Sequence, residues 1–87
     1  MSSLVPFKPI FELEAAEFIL AQTKRRKRRL MDLCYAIAAD PYAKPDFVLN
    51  DSDGRPISHV STDGYLFSYW VDERVKRVVI AEIEEVE

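Results

Sequence analysis

His59 is the only histidine of the chain, and its imidazole suits general acid–base chemistry near neutral pH. Phosphodiester cleavage, a reaction that uses such a group, also needs cations that stabilise the charged transition state. Arg55 precedes a β-prone run and Arg77 lies within another, and either guanidinium can form bidentate contacts with a phosphate. We therefore take His59, Arg55 and Arg77 as a candidate catalytic set. The alternative is that all three are ordinary solvated strand or loop side chains.

The most unusual stretch is a run of six consecutive cations, Lys24, Arg25, Arg26, Lys27, Arg28 and Arg29. In a helix they advance ~100° per residue, so they surround the axis instead of lining one face. At a helix N-terminus each is mildly unfavourable, by ~0.3–1 kcal/mol before screening. The run predicts an external anion, such as RNA phosphate or an acidic protein segment. An equally weighted alternative is a solvated helix start balanced by Glu12, Glu14, Glu17 or the acidic C-terminus.

Trp70 and Cys34 complete the set of notable side chains. Trp70 could stack a nucleic-acid base, but we favour a hydrophobic contact with the Phe47–Leu49 segment or with a partner. Cys34 belongs to an apolar helical stripe, so we predict a buried, unreactive thiol. The sequence contains no Cys/His metal spacing, Gly-rich phosphate loop or serine triad signature. We therefore expect no metal and no cofactor.

The length of the chain, 87 residues, predicts one domain over residues 1–87, because independent domains usually need about 50 residues or more. A hydrophobic fraction of 48% with 31% charged residues favours a packed globule. One cysteine cannot form an intrachain disulfide. The start Met1–Leu4 has no leader pattern, and no apolar run reaches the roughly 20 residues of a membrane span. These features predict a cytoplasmic protein without membrane contact.

Charge is distributed unevenly along the chain. Residues 1–44 carry eight Lys/Arg against five Asp/Glu, whereas residues 45–87 carry four against ten. The predicted molecule is therefore dipolar, which would guide an anionic and a cationic partner to different surfaces.

The first half of the chain predicts an edge strand and two helices. Lys8–Leu13 is apolar but contains Pro9, which cannot donate a ladder hydrogen bond, so this strand should lie at an edge, where another chain could pair. Helices are predicted over 14–21 and 24–39, with Thr23 as the N-cap of the second and Asp40-Pro41 as its stop. The spacing i, i+3, i+4, i+7 predicts a stripe facing the sheet, formed by Leu30, Leu33, Cys34 and Ile37, with Ala38 beside them.

The second half predicts an antiparallel β-meander after a linker over 41–56, in which Phe47–Leu49 is a weak strand. Ile57–Thr62 and Tyr65–Val71 flank Asp63-Gly64, the strongest signal for a type I′ hairpin. Val75–Ile83 should add a third strand. The turn fixes the pairs Thr62 with Tyr65, Ser61 with Leu66, Val60 with Phe67 and His59 with Ser68. One face then carries Val60, Tyr65, Phe67 and Tyr69 toward the helices, and the other carries His59, Ser61, Leu66, Ser68 and Trp70.

In this order of elements, the residues Ala39-Asp40-Pro41, Gly64-Tyr65, Tyr69-Trp70-Val71-Asp72 and Val78-Val79-Ile80 resemble the RelE/ParE family of type II toxin–antitoxin toxins over nearly the whole chain. The resemblance implies the RelE/ParE-like α+β fold and a cognate antitoxin as partner. It also implies an RNA-binding toxin that inhibits translation as an mRNA endoribonuclease on the ribosome. The alternative within the family is a noncatalytic relative that acts by binding, as inhibitors of DNA gyrase do, or an inactive antitoxin-binding protein.

The sequence departs from the family's nucleases at the positions that would carry chemistry. Leu66 stands after Gly-Tyr, where those nucleases commonly have Arg, and His59 occupies a strand position that often holds Lys. The final segment offers Glu82 and Glu84 in place of a Tyr, His or Arg. These departures favour the noncatalytic alternative. A homodimer is a further possibility that the sequence leaves open.

Overall fold

A short strand and two helices precede four further strands in the computed structural model of the chain, which describes residues 6–86. Residues 1–5, which include the start Met1–Leu4, and the terminal Glu87 lie outside the described residues. The elements are β1 (Lys8–Phe11), α1 (Leu13–Leu20), α2 (Lys24–Ala39), β2 (Phe47–Asn50), β3 (Pro56–Thr62), β4 (Tyr65–Asp72) and β5 (Arg77–Glu85). This order confirms the predicted α+β class.

The helices begin and end within a residue of the predicted bounds. Thr23 Oγ1 accepts a hydrogen bond from the backbone N–H of Arg26 at 3.3 Å, so the predicted N-cap of α2 is confirmed. α2 ends at Ala39, and Asp40 leaves helical geometry with φ −143°, as expected for a residue before proline. Of the predicted stripe, Leu30, Leu33, Cys34 and Ala38 are buried, and Ile37 is half-buried.

All five strands form one sheet in the order β1-β5-β4-β3-β2. β2 to β5 pair antiparallel with their sequence neighbours, which is the predicted meander, with the weakly indicated Phe47–Leu49 strand extended to Asn50. β1 lies at the other edge and pairs parallel with β5, so the complete sheet is mixed. β1 ends at Phe11, two residues earlier than predicted, because α1 already begins at Leu13.

The hairpin between β3 and β4 has the predicted turn and register. Asp63 and Gly64 both have positive φ, 58° and 84°, as a type I′ turn requires. The four predicted pairs from Thr62 with Tyr65 to His59 with Ser68 are all present. β5 begins at Arg77, two residues later than predicted, because a turn over 73–76 with Lys76 at φ 55° separates it from β4.

The hydrophobic core lies between the two helices and one face of the sheet. Leu30 and Cys34 of α2 and Ala15 of α1 are fully buried against Phe67 and Tyr69 of β4. Burial raises the pKa of the Cys34 thiol to about 12, so the thiolate that nucleophilic chemistry requires is disfavoured. We call the opposite side of the sheet, which carries His59, Ser61, Leu66, Ser68 and Trp70, the open face.

Candidate functional site

A cleft of about 370 Å³ lies on the open face, beside the start of α1. We call it the open-face cleft. Its lining comes from β2 to β5, from the β2–β3 turn and from the segment that enters α1. The lining residues are Glu12, Glu14, Leu49, Asn50, Asp51, Arg55, Ile57, His59, Ser68, Trp70, Ala81 and Glu82. Three of the four predicted site residues outside the basic run therefore meet here: His59, Arg55 and Trp70.

His59 is held in place by its two cross-strand neighbours. Its Nδ1 atom lies 2.9 Å from Oγ of Ser68, the residue directly opposite on β4. On its other side, β2 places Phe47 opposite His59, and the two rings stack with centroids 4.5 Å apart and planes 9° from parallel. Burial lowers the pKa of the imidazole, partly countered by the charge of Glu84, and so favours the neutral form of His59.

Arg55 and Trp70 form one end of the open-face cleft. The turn that precedes β3 is fixed by Asp51, whose Oδ1 accepts hydrogen bonds from the backbone N–H groups of Asp53 and Arg55, each at 2.9 Å. The guanidinium carbon of Arg55 then lies 4.0 Å from the centre of the Trp70 ring, within cation–π range. Leu49 lines the same cleft, but the Trp70 ring is covered by Arg55, so the expected contact of Trp70 with the Phe47–Leu49 segment stays a prediction.

The other end of the open-face cleft is acidic because of an irregularity in β5. Ser68 pairs with Glu82 whereas Tyr69 pairs with Ile80, so Ala81 is an extra residue in the ladder. Such a bulge re-aims neighbouring side chains, and both Ala81 and Glu82 line the cleft. Partial burial, together with repulsion from Glu84 and Glu14, raises the pKa of Glu82.

Arg77 does not join the open-face cleft. It pairs with Asp72 at the far end of β4, four residues, or about 13 Å along an extended strand, from Ser68. Its Nη1 donates to the carbonyl oxygens of Val75 and Lys76, at 2.9 and 3.2 Å. Arg77 therefore stabilises the β4–β5 turn, and its predicted grouping with His59 is not seen in this structure.

The balance of charge in the open-face cleft opposes binding of a phosphate. Four carboxylates line it, those of Glu12, Glu14, Asp51 and Glu82, against the single guanidinium of Arg55. The pKa of His59 is lowered by burial, which disfavours a second cation there. Within residues 6–86, none of these three glutamates forms a salt bridge. RNA cleavage proceeds through a transition state with added negative charge, which these carboxylates would destabilise.

The basic run occupies the first two turns of α2, and two of its members are paired within the chain. Arg29 Nε lies 2.7 Å from Oδ2 of Asp63 in the hairpin turn, and Arg26 Nη2 lies 3.5 Å from Oε2 of Glu85 at the end of β5. The contact with Glu85 agrees with the expected balance by the acidic C-terminus, whereas Asp63 was not among the expected partners. No salt bridge involves Lys24, Arg25, Lys27 or Arg28 in the described part of the chain.

Glu12 and Glu14 are the cleft residues that sequence reasoning missed. They reach the open-face cleft because β1 lies beside β5, where the backbone N–H of Glu12 donates to the carbonyl of Ile80 at 3.0 Å. The parallel pairing depends on contacts distant in sequence, and no local pattern signals it.

Residues 6–86 contain no group of three or more His, Cys, Asp or Glu side chains arranged to hold a metal ion. None of their helices is both long enough and apolar enough to cross a membrane.

Comparison with solved structures identifies the architecture. A chain of the RelBE2 toxin–antitoxin complex from Mycobacterium tuberculosis superposes with a TM-score of 0.73 at 18% identity, over 93% of this chain and 99% of that one. The archaeal RelE–RelB complex from Pyrococcus horikoshii gives 0.68 at 12% identity, over 93% and 96%. The isolated Escherichia coli RelE toxin gives 0.68 at 14% identity, over 95% and 86%.

These similarities span nearly the full length of each chain and show that this chain has the RelE fold. No protein-family model and no curated protein matches the sequence. The predicted resemblance is therefore confirmed for the fold.

Proposed function

We propose that this chain is a cytoplasmic, toxin-like component of a type II toxin–antitoxin module and that it binds a cognate antitoxin. The RelE fold supports this proposal, since similar chains come from the RelBE2 toxin–antitoxin complex and the RelE–RelB complex. A proposal for function needs support from the site as well as from the fold. That support comes from the open-face cleft and from the basic start of α2.

In this proposal the chain acts by binding another protein and not by catalysis, either as a gyrase-type inhibitor or as an inactive relative that binds an antitoxin. The observation that carries this choice is the acidic lining of the open-face cleft by Glu12, Glu14 and Glu82. The substrate of an RNase is a polyanion, and its transition state carries still more negative charge. Carboxylates at that position raise the barrier that a nuclease must lower.

A second candidate function, ribosome-dependent mRNA cleavage, is supported by His59 and Arg55 in one cleft. Burial lowers the pKa of the imidazole and so favours the neutral form that a general base requires. Ser68 orients it at 2.9 Å. Arg55 is the cation of that cleft and would contact the scissile phosphate after leaving the face of Trp70.

Controlled expression in bacteria separates the two candidates. Growth and the 5′ ends of cellular mRNA are followed for the wild type, for His59→Ala and for Ser61→Ala. Ser61 is an exposed open-face residue of the same strand, outside the cleft lining, so Ser61→Ala is the matched control. Circular dichroism of each purified variant establishes that it is folded.

Growth arrest without new mRNA ends, unchanged in His59→Ala, is the outcome expected for action by binding. New ends that vanish in His59→Ala but persist in Ser61→Ala would instead establish the nuclease. Absence of arrest with the wild type would leave antitoxin binding as the proposed role, to be measured with the protein encoded beside this chain.

The basic run is the surface that we propose for contact with the target or the antitoxin. Arg25→Glu with Arg28→Glu reverses two cations that have no salt bridge within residues 6–86, whereas Arg26→Glu with Arg29→Glu reverses the two that bind Glu85 and Asp63. Both double variants change the net charge equally. If the run binds an external anion, the Arg25/Arg28 variant loses arrest or binding while its stability is retained. The Arg26/Arg29 variant additionally loses stability.

A further inference from the structure

β2 leaves one edge of the sheet unpaired. All four of its residues are exposed, with Phe47, Val48 and Leu49 at 44%, 48% and 58% of their full accessibility. Exposed edges are usually protected by a lysine, a proline or a bulge. The opposite edge strand, β1, has Lys8 and Pro9, whereas β2, which is equally short, has the sequence FVLN without a lysine or a proline.

The backbone groups that β2 offers to a further strand follow from its pairing with β3. Asn50 lies opposite Pro56, which has no N–H, and the next pair is joined by a hydrogen bond from Asp51 N to Arg55 O at 2.9 Å. Hydrogen-bonded and non-bonded pairs alternate along an antiparallel ladder. The N–H and C=O of Leu49 and Phe47 therefore face β3, and those of Val48 and Asn50 face outward.

We propose that β2 pairs antiparallel with β2 of a second copy of this chain, joining two five-stranded sheets across a two-fold axis at Val48. The backbone N–H of each Val48 then donates to the carbonyl oxygen of the partner's Val48. This proposal rests on the geometry of the edge and does not depend on the proposed function.

The register follows from side-chain direction and residue type. A two-fold axis perpendicular to the sheet keeps both open faces on one side, so paired residues must point the same way. With Val48 at the axis, the Phe47 side chain of each copy lies opposite Leu49 of the other copy on the open face. The two Val48 side chains meet on the side of the sheet that faces the helices. A shift of the register by two residues in one direction would place Asp51 opposite Phe47. A shift in the other direction would place Asp46 opposite Val48. In either case an apolar side chain would face a carboxylate instead of another apolar side chain.

The ends of the paired strands are complementary as well. In the proposed register the partner's Asn50 lies opposite Asp46, which precedes β2; the backbone N–H of Asp46 donates to the carbonyl oxygen of His59 at 2.9 Å and its carboxylate accepts from the N–H of Ser61 at 2.6 Å. The carboxylate of Asp46 is therefore held by β3, and no two carboxylates face each other across the axis. The acidic turn that contains Asp51 and Asp53 lies beside the partner's Lys44, and Lys44 has no salt bridge within residues 6–86. Opposite charges across such pairs favour association. This self-complementarity is the reason for assigning the edge to a second copy.

Disulfide cross-linking tests both the dimer and its register. Val48→Cys places two thiols in one hydrogen-bonded pair, with Cα atoms about 5.5 Å apart, within the range of a disulfide. Leu49→Cys, the matched control, lies opposite the partner's Phe47 and has no thiol partner. The native Cys34 is fully buried and does not compete. Under mild oxidation we expect a covalent dimer from Val48→Cys and little from Leu49→Cys.

Charge substitution at Val48 tests the same contact without forming a covalent bond. Val48→Lys and Val48→Glu each place like charges opposite one another, so each alone should sediment as a monomer, whereas their mixture should form a dimer. Val75→Lys changes a valine that is 53% exposed in the β4–β5 turn and should stay dimeric. Sedimentation velocity over a concentration series measures all four samples and the wild type.

The expected wild-type result is a concentration-dependent rise from one chain mass to two. A wild type that remains monomeric at all concentrations overturns the proposal and leaves the β2 edge to a strand from another protein. A covalent dimer from Leu49→Cys equal to that from Val48→Cys also overturns it. So does a mixture of Val48→Lys and Val48→Glu that remains monomeric.

Discussion

The imidazole of His59 and the hydroxyl of Ser68 lie within hydrogen-bonding distance, 2.9 Å, on two strands whose register is set by a two-residue turn. Ser68 is buried, with 8% of its surface accessible, so the contact is shielded from competition by water. It fixes the ring plane that stacks on Phe47. The open-face cleft therefore holds its one titrating imidazole in a defined orientation.

The titration of His59 provides a direct check of this environment. Burial lowers the pKa of the imidazole from 6.5, and Glu84 partly offsets that effect. We expect the wild type to titrate below 6.5, and Glu84→Gln to titrate lower still. Because the chain has one histidine, its ring signals in an NMR pH series are unambiguous. A midpoint at or above 6.5 would contradict the described environment.

Protonation of His59 should destabilise the folded chain. The folded pKa of His59 lies below the unfolded value, so the unfolded chain binds more protons in the interval between the two. Stability from this group is present above about pH 6.5 and is lost as the pH falls toward the folded pKa. His59→Gln should remove this dependence, and urea unfolding at pH 7 and pH 5 measures it.

Glu82 should show the opposite dependence. Partial burial and repulsion from Glu84 and Glu14 raise the pKa of Glu82, so its contribution to stability is present at pH values below its unfolded pKa and is lost as the pH rises through the folded pKa. Glu82→Gln should therefore increase the free energy of unfolding at pH 7, by at most ~0.5 kcal/mol for an exposed side chain. At pH 4 the gain should disappear.

The matched control for Glu82→Gln is Glu17→Gln, which removes an exposed carboxylate of α1 outside the open-face cleft. It should change stability little at either pH. Equal gains from both variants at pH 7 would show that the effect comes from the net charge of −3 and not from the cleft.

The hairpin was predictable from sequence because its determinants are local. Asp63-Gly64 fixes the turn, the turn fixes the register, and the alternation of side chains then places His59 and Ser68 together on the open face. The helix bounds were also predictable, since Thr23 and Pro41 act on their own neighbours.

The acidic end of the open-face cleft could not be predicted in the same way. It depends on the bulge at Ala81 and on the parallel pairing of β1 with β5, and neither has a local signature. The turn before Arg77 has no diagnostic residues, so the direction of that side chain was also beyond sequence reasoning. Non-local pairing decides these positions, and with them the chemistry of the cleft.

The cap of α2 should carry an unusual salt dependence. Thr23→Ala removes the acceptor for Arg26 N and should cost about 1 kcal/mol. Thr23→Asp keeps an acceptor and adds a negative charge beside the helix N-terminus and the basic run, so it should match or exceed the wild type at low salt. Thr23→Asn, which has an acceptor without charge, is the control. Urea unfolding in 1 M salt should remove the difference between Asp and Asn, because screening removes the charge effect; a difference that persists would contradict this account.

The core between α2 and the sheet should be sensitive to loss of a single side chain. Leu30 is fully buried, whereas Leu20 at the end of α1 is 69% exposed, so the same Leu→Ala change can be compared at two depths. Leu30→Ala leaves a cavity and should cost ~2–5 kcal/mol, a large fraction of the ~5–15 kcal/mol that stabilises a small domain. Leu20→Ala should stay within about 0.5 kcal/mol of the wild type. Urea unfolding followed by the fluorescence of Trp70 measures both, and equal losses would mean that α2 does not pack on the sheet as described.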